Sequence, residues 1–273
     1  MTEAVVLVAD THTNSLMGLA PPKVQRDDGS PVGVSKVRRW LSHTWERSWA
    51  DVHEYIKDSE HKTLIINGDA AELDAKGRTT RIISRNPATI LRMCIDLWEP
   101  VVSEFDDLFV IRGTEAHTGN AGWVEEALAD DLGAIKDTDT DMSSWWHLRG
   151  MFGGVKFDVA HHAPMGSLPW TYATAPARYA AQVMWEYEIE WGEKAPDVVV
   201  RAHNHRFAES GRTYPARVFS LPCWQFPTAF VHRLGKANAR PHIGSLAFLC
   251  ENKKYQWEDF RYQPRRSKAW ERK

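Results

Sequence analysis

The sequence predicts an α/β protein whose core contains two packed β-sheets, and three observations support this prediction. In the earlier part of the chain, short buried runs alternate with segments that have helical periodicity. The later part contains short apolar runs separated by turn residues, which indicate antiparallel strands. The balance of 43% hydrophobic and 26% charged residues is that of an ordinary globular protein.

Strands and helices are predicted in alternation from the first residues onward. Residues 5–9 form a continuous β-branched run, which indicates a buried strand. Residues 19–34 are polar and rich in Pro, Gly and Asp, which is typical of a long loop. From Ser35 to about residue 60, apolar positions recur at spacings of three or four, so an amphipathic helix is predicted. Residues 63–67 predict a second buried strand, which leads into Gly68-Asp69.

The same rules predict the remaining elements. A helix is expected from residue 87 to about 105, because Pro87 suits the first helical position and Asn86 suits its cap. Residues 145–160 predict two strands that turn at Gly153-Gly154. The other expected elements are strands at 108–111 and 197–202, helices at 122–132 and 177–191, and short antiparallel strands at 217–221, 229–231, 243–251 and 255–262.

Length, charge and cysteine content limit the class of protein. The 273 residues carry 34 Lys and Arg against 36 Asp and Glu, which argues against a protein that coats nucleic acid through bulk charge. We expect one domain over residues 1–263 and a basic, mobile tail over 264–273. Three scattered cysteines do not form a disulfide framework. No apolar run suits a bilayer span and the first residues lack a leader pattern, so a cytoplasmic protein is expected.

Five predicted strands end in side chains that can ligate a metal ion, and half of the 12 histidines lie there. Loops at the carboxyl ends of strands converge in α/β sheets, so we expect one shared metal site. Imidazole together with carboxylate suits Mn, Fe, Zn or Ni, whereas oxygen ligands alone suit Mg or Ca. The clusters are Asp10 with His12, Asp69, Glu115 with His117, His161 with His162, and His203 with His205.

In order and approximate spacing, these clusters resemble the calcineurin-like metallophosphoesterase family, whose pattern is D-x-H, G-D, G-N-H-[DE], H and G-H-x-H. The resemblance spans about residues 5 to 206. It implies an α/β-β/α four-layer sandwich of two mixed sheets flanked by helices, and a hydrolase of phosphoric ester bonds with two divalent metal ions. Manganese is the favoured metal, with Fe, Zn or Ni as alternatives. The matching segments are Asp10-Thr11-His12, Gly68-Asp69, Gly113-Thr114-Glu115-Ala116-His117, His161 and Ala202-His203-Asn204-His205.

The resemblance also implies a role for each ligand. The first ion would be held by Asp10, His12 and His205, and Asp69 would bridge the two ions and take part in catalysis. His161 and His203 would hold the second ion. A hydroxide between the ions would attack the phosphorus in line with the bond that breaks.

The third motif departs from the family pattern, because Thr114 stands at the Asn position and Glu115 at the His position. We expect Glu115 to supply the missing ligand of the second ion, and His117 to act as the general acid or to orient the phosphate. In the alternative interpretation, Thr114 caps a turn, Glu115 faces solvent, and the second ion is weakly held or lost.

Several other side chains have open roles. His162 either supports His161 or replaces it as a ligand, since strand alternation directs only one of them into the site. Arg112 and Arg78 are candidates to contact a phosphate. The segments Trp145-Trp146 and Trp170-x-Tyr172 either stack on a nucleobase or form a wall of the site, and the wall is favoured.

The expected function is therefore hydrolysis of a phosphoester, as a phosphodiesterase or phosphatase, with a nucleotide or another small phosphoester as substrate. A nuclease that acts on single strands is the alternative within this class, although nucleic acid is not favoured because the only basic cluster in the sequence is short. The alternative from another class is a binding module that keeps the fold without turnover. No membrane partner is expected.

Overall fold

The computed structural model describes residues 1–73, 81–163, 171–234 and 240–264. Arg78, Trp170 and residues 265–273 therefore lie outside the described residues. The strands are β1 (Glu3–Val8), β2 (His61–Asn67), β3 (Asp107–Ile111), β4 (Leu148–Phe152), β5 (Val155–Val159), β6 (Val198–Arg201), β7 (Ala208–Glu209), β8 (Arg217–Ser220), β9 (Ile243–Glu251) and β10 (Lys254–Tyr262). The helices are α1 (Lys36–Ile56), α2 (Pro87–Val102), α3 (Glu115–Thr118), α4 (Trp123–Asp131), α5 (Ala175–Met184) and α6 (Ala229–Arg233).

The first sheet has the strand order β10-β9-β1-β2-β3, in which β1, β2 and β3 are parallel and β9 is antiparallel to both of its neighbours, β1 and β10. Side chains of β1 alternate between two buried environments, because successive residues of a strand point to opposite faces. Val6 packs with the helices α1 and α2, whereas Leu7 packs with the second sheet. Burial on both faces explains the unbroken apolar run of β1.

The second sheet has the order β4-β5-β6-β8-β7, and its strands β5, β6 and β8 are parallel. Its inner face packs against the first sheet, and its outer face is covered by α5. On that outer face Val183 of α5 packs with Val199 and Val218 of the sheet. Two mixed sheets thus lie between helical layers, which confirms the predicted four-layer α/β-β/α sandwich.

The helix caps and most helix positions agree with the sequence predictions. The Ser35 hydroxyl accepts a hydrogen bond from the Arg38 amide at 3.1 Å, and the Asn86 side chain accepts one from the Ala88 amide at 2.9 Å. Each bond satisfies an amide that lacks a partner within its helix. In the core, Trp45 makes edge-to-face contacts with three other tryptophans, namely Trp49, Trp98 and Trp224.

Some sequence predictions were wrong. Residues 229–231 belong to the short helix α6, although their apolar run resembles a strand. Strand β8 pairs in parallel with β6 and is antiparallel only to β7. The helix expected at 177–191 ends at Met184 and continues as a π-helical segment at Trp185–Glu190. In the described part of the chain, no helix has the length and apolar character needed to cross a membrane.

Candidate metal centre

Backbone hydrogen bonds bring the strand-end loops of both sheets together. The Asp10 amide donates to the Gly68 carbonyl and the His12 amide donates to the Asp69 carbonyl, both at 2.9 Å. In the second sheet, the Ala202 amide donates to the His161 carbonyl at 2.9 Å. The His203 amide then donates to Asp10 Oδ2 at 3.2 Å, which joins the two sheets at this edge.

A glycine is required where these loops approach each other most closely. Gly68 has φ of +78°, and a Cβ atom there would lie 2.3 Å from His161 Nδ1. Gly113 packs on the next loop, and a Cβ atom there would lie 2.2 Å from the Asp69 nitrogen. Packing around Asp69 and His161 therefore requires glycine at positions 68 and 113.

The ligand atoms of the predicted residues converge in four overlapping groups. Within each group, the atoms lie within 4.8 Å of one another. His205 Nε2 is 3.1 Å from both His12 Nε2 and Asp10 Oδ1, and His161 Nε2 is 3.2 Å from Asp69 Oδ2. The groups are Asp10 with His12 and His205, Asp10 with Asp69 and His161, His12 with Asp69 and His117, and His161 with His162 and His203.

Asp10 and Asp69 link these groups, since each belongs to two of them. Asp10 shares one group with His12 and His205, Asp69 shares another with His12 and His117, and both aspartates share a third with His161. Asp69 Oδ2 lies 3.9 Å from His12 Nε2 and 3.2 Å from His161 Nε2, so it is near histidines predicted to hold different ions, and its bridging role stays a prediction. Because the ligands combine imidazole and carboxylate, they suit a borderline divalent metal ion.

Buried polar atoms at the centre of this cluster fit a bound cation. Asp10 Oδ1 and His161 Nε2 are 4.0 Å apart and buried. His205 Nε2 lies 3.1 Å from the first atom and Asp69 Oδ2 lies 3.2 Å from the second, but neither neighbour is oriented to form a hydrogen bond with it. A buried polar atom without a partner costs about 1–3 kcal/mol of folding free energy. A divalent ion coordinated by both atoms would remove that cost, so the residues present fit the predicted metal.

The loop backbone is strained at five of the predicted ligands. Non-glycine residues rarely adopt positive φ, and each instance costs about 1–2 kcal/mol. Such strain is concentrated at functional sites, where the surrounding structure holds it in place. The five residues are Asp10 (φ 55°), His12 (44°), Asp69 (52°), His203 (69°) and His205 (56°).

The structure places the third motif differently from the preferred expectation. Glu115 is exposed at the start of α3, and its carboxylate accepts a hydrogen bond from the Ala121 amide at 3.3 Å. It belongs to none of the four groups found among the described residues. The Glu115 side chain therefore does not join the cluster. Thr114 is the last residue with an extended backbone, and Glu115 already belongs to the helix that follows it.

His162 occupies the side of the cluster where Glu115 was expected. The Thr114 hydroxyl lies 3.1 Å from His162 Nε2 and 3.1 Å from His203 Nδ1, so it connects the two imidazoles. The structure brings His161 and His162 together, with ring centroids 4.8 Å apart, rather than directing only one towards the site. The turn that follows β5 breaks the strict strand alternation on which the sequence expectation depended.

His117 lies beside the first group and has an acidic partner that sequence reasoning missed. Its Nδ1 atom is 2.9 Å from Glu72 Oε2, and its ring packs edge-on against His12 with centroids 4.6 Å apart. Glu72 is buried and also lies 3.4 Å from His12 Nδ1. Glu72 lies three residues after Asp69 in the same loop, and this proximity was the only indication in the sequence that it could belong to the site.

The second residue that sequence reasoning missed is Glu125 of α4, a fully buried carboxylate behind the cluster. It accepts hydrogen bonds from the Gly113 amide at 2.6 Å and from the Ala70 amide at 3.2 Å. It therefore holds the loops after β2 and β3 in position. Burial, with the negative charge of Asp69, raises the pKa of Glu125 to about 7. Nothing in the local sequence distinguishes it from an ordinary helix-surface glutamate.

Opposite charges dominate the electrostatics of the cluster. Burial alone would raise the pKa of Asp10, but the charge of His205 and the nearby imidazole of His12 hold this pKa well below its usual range. Burial opposes the charge of His12 as well, yet the adjacent carboxylates of Asp10 and Glu72 raise its pKa to about 9. Partial burial and the charge of His161 instead lower the pKa of His162 to about 4.

The remaining predicted residues lie at the periphery. Arg112 is buried, donates to the Ala121 carbonyl at 2.8 Å and pairs with Glu126 at 2.9 Å, so its position is that of a structural residue. Trp145 donates its indole N–H to the Ile135 carbonyl and packs against the core between the sheets, as a wall residue would. Tyr172 lies under the guanidinium of Arg206.

Comparisons with known proteins identify structural neighbours alone. No protein-family profile matches the chain, and no curated protein sequence matches it. Among solved structures, Vacuolar Protein Sorting 29 from Cryptosporidium parvum matches with 9% identity over 96% of this chain and 99% of that chain, at a TM-score of 0.43. Wild-type Vps29 complexed with Zn²⁺ from Entamoeba histolytica matches with 10% identity, 94% and 98% coverage and a TM-score of 0.33.

A third solved structure is the 5'-nucleotidase precursor from Thermus thermophilus, with 12% identity and a TM-score of 0.38. The match covers 97% of this chain but 55% of that chain, so the present chain spans about half of its length. The chain itself has two mixed five-stranded sheets with flanking helices and metal-capable side chains at the strand ends, which is the α/β sandwich that the motif resemblance implied.

Proposed function

We propose that the protein is a metal-dependent phosphoesterase that hydrolyses a P–O ester bond with two divalent ions, for which manganese is the favoured metal. The observation that carries this proposal is the convergence of acids and imidazoles from five loops into four overlapping groups, two of which contain Asp10 and two of which contain Asp69. A site without a ligand has no physical reason to collect so many groups that are costly to bury.

Each set of side chains has a separate task in this proposal. Asp10, His12 and His205 would hold one ion, and Asp69 would contact both. His161 and His203 would hold the second ion, with His162 in the place that Glu115 was expected to take. When bound, the ions would supply positive charge and Lewis acidity at the phosphoryl group.

The second part of the proposal concerns proton transfer to the leaving oxygen. Glu72 Oε2 lies 2.9 Å from the Nδ1 atom of His117, and this contact fixes the orientation of the ring. His117 is about a third exposed, whereas Glu72 is buried, so the histidine can reach a substrate that the carboxylate cannot. We assign His117 as the general acid and Glu72 as its positioning residue.

The test is hydrolysis of bis-p-nitrophenyl phosphate and p-nitrophenyl phosphate with added Mn²⁺, together with elemental analysis of the protein. His203→Ala removes a ligand that is already exposed, so folding is retained while one ion is lost. We expect hydrolysis to fall by about 100-fold. The matched control is His232→Ala, since His232 lies on α6 and belongs to none of the ligand groups of the described residues. Bound metal without hydrolysis of either ester would refute the proposal.

One observation favours a second candidate, a binding module that keeps the metal without turnover. Thr114 stands where the calcineurin-like pattern has its Asn ligand. Glu115 does not supply the missing ligand, because its side chain is exposed. The group of three histidines then depends on imidazoles alone. The same measurements separate the candidates, because the binding module predicts stoichiometric metal and no rate above that of the buffer.

A further inference from the structure

A basic cleft lies at the metal-centre end of the first sheet and has no role in the chemistry described above. The cleft has a volume of about 620 Å³ and lies between α1 and the end of β10. None of the described residues that line it is acidic. The lining side chains that matter here are Lys36, Arg39, Arg47, Arg261, Trp40 and Tyr262.

The positive charge of this cleft is only partly compensated. Lys36 and Arg39 are exposed, and their side chains make no ion pair with any described residue. Arg47 does pair with Asp51, at 3.6 Å, and Arg261 pairs with Asp259. The full positive charges of Lys36 and Arg39 therefore remain available to an anion, and the partly neutralised Arg47 and Arg261 also line the cleft.

The topology of the first sheet places the cleft at the same edge as the metal centre. Strand β10 is antiparallel to β9, and β9 is antiparallel to β1, so β10 runs in the same direction as β1. Leu7 is opposite Leu246, and Leu246 is opposite Asp259. Tyr262, three residues beyond Asp259, therefore lies at the end of the sheet where Asp10 follows β1.

Direct contacts connect the cleft to a metal-ligand loop. The guanidinium of Arg261 lies over the Phe207 ring, 4.6 Å from its centroid. The Phe207 amide donates to His242 Nδ1 at 3.0 Å, and the His242 amide donates to the His205 carbonyl at 3.3 Å. Arg261 is thus separated from the segment that carries His205 by a single layer of side chains.

We propose that this cleft binds the phosphodiester backbone of a single-stranded nucleic acid whose scissile ester lies at the metal centre. The inference rests on the proposed phosphoesterase function and names its substrate class. Cations such as Lys36 and Arg39 suit backbone phosphates, and the ring of Trp40 offers a surface on which an unpaired base can stack. The net charge of −2 does not reveal this cluster, because its residues come from distant parts of the chain.

The test measures binding by the full, Mn²⁺-loaded protein to a fluorescein-labelled oligothymidylate of about 12 nucleotides. Phosphorothioate linkages keep the backbone charge and slow hydrolysis during the measurement. Each phosphate neutralised contributes about −0.7 to the slope of log affinity against log salt concentration. The double variant Lys36→Gln/Arg39→Gln is therefore expected to flatten the slope by about 1.4 and to weaken binding about 20-fold at roughly 0.1 M salt.

The control variant is Lys253→Gln/Lys254→Gln, which removes two exposed lysines at the opposite end of β10 and should leave both the slope and the affinity unchanged. Equal losses of affinity in the two double variants would overturn the proposal that this cleft binds a single strand. Tighter binding of a duplex of the same length would also overturn it. Equally effective competition by poly-glutamate would identify a general anion site and would also overturn it. Hydrolysis of bis-p-nitrophenyl phosphate by the wild type reports separately on the proposed function, so failure of one proposal is distinguishable from failure of the other.

Discussion

Substitution of Gly68 by alanine tests the packing that forms the metal centre. A Cβ atom at this position would lie 2.3 Å from His161 Nδ1 and 2.9 Å from the Gly113 Cα atom. His161 would have to move, and its 2.8 Å hydrogen bond from Nδ1 to the Asn67 carbonyl would break. Gly29 offers a matched control, because it has the same φ of +78° and a Cβ atom there would meet nothing within 4 Å.

The two variants share one energetic cost and differ in another. Alanine at a positive φ costs about 1 kcal/mol in either position, because the left-handed region is unfavourable for a residue with a Cβ atom. Gly68→Ala also loses a buried hydrogen bond, which costs about 1–3 kcal/mol when a polar group remains without a partner. We therefore expect Gly68→Ala to be destabilised by about 2–4 kcal/mol and Gly29→Ala by about 1 kcal/mol.

Urea denaturation of each variant measures the free energy of unfolding, and elemental analysis measures the metal content. We expect Gly68→Ala to lose metal because His161 is displaced, while Gly29→Ala keeps the wild-type metal content. If the two variants had equal stability and equal metal content, the close contact between Gly68 and His161 would be refuted.

Three further predictions concern individual side chains. His162→Gln should reduce the metal content measured by elemental analysis. Glu115→Gln should leave the metal content unchanged, since Glu115 is exposed and lies outside the ligand groups of the described residues. The reverse pattern would identify Glu115, and not His162, as a ligand. His117→Ala should slow hydrolysis of esters with poor leaving groups more than hydrolysis of p-nitrophenyl esters. Glu72→Gln should show the same selectivity with a smaller loss of rate. An equal loss of rate for all esters would exclude the general-acid role of His117. Asp158→Asn should destabilise the protein by about 3–5 kcal/mol at neutral pH, because Arg201, 2.6 Å away and buried, would lose its partner. Burial opposes the charge of Asp158, but hydrogen bonding to His147 and the charge of Arg201 hold its pKa below the usual range. The contribution of Asp158 to the free energy of unfolding is therefore present above about pH 4 and is lost as the pH falls. Urea denaturation at neutral and at acidic pH should show that the stability difference between variant and wild type becomes smaller in acid.

The central strands were predictable from the sequence because of their environment. β1 is buried on one face by helices and on the other by the second sheet, so its sequence is apolar throughout and stands out from its surroundings. The direction of β8 was not predictable in the same way, since pairing with β6 depends on how distant segments come together. The short apolar run at 229–231 gave a wrong strand prediction, because three residues are too few to distinguish a strand from a helical turn.

The candidate site was predictable to the extent that its residues directly follow strands. Asp10, Asp69 and His161 follow strands that end at one edge, and the structure brings their ligand atoms together. Glu72 and Glu125 were missed because they lie outside the motifs, and only the tertiary arrangement gives them a role. The basic cleft was missed for a related reason, since α1 and β10 are far apart in the sequence and adjacent in the fold.

The most direct measurement of the central claim is anomalous X-ray diffraction at the manganese absorption edge, from crystals grown with Mn²⁺. We expect two anomalous peaks, one beside Asp10, His12 and His205 and the other beside His161 and His203, with Asp69 in contact with both. No peak at these side chains, or a single peak that leaves Asp69 without a metal contact, would contradict the account.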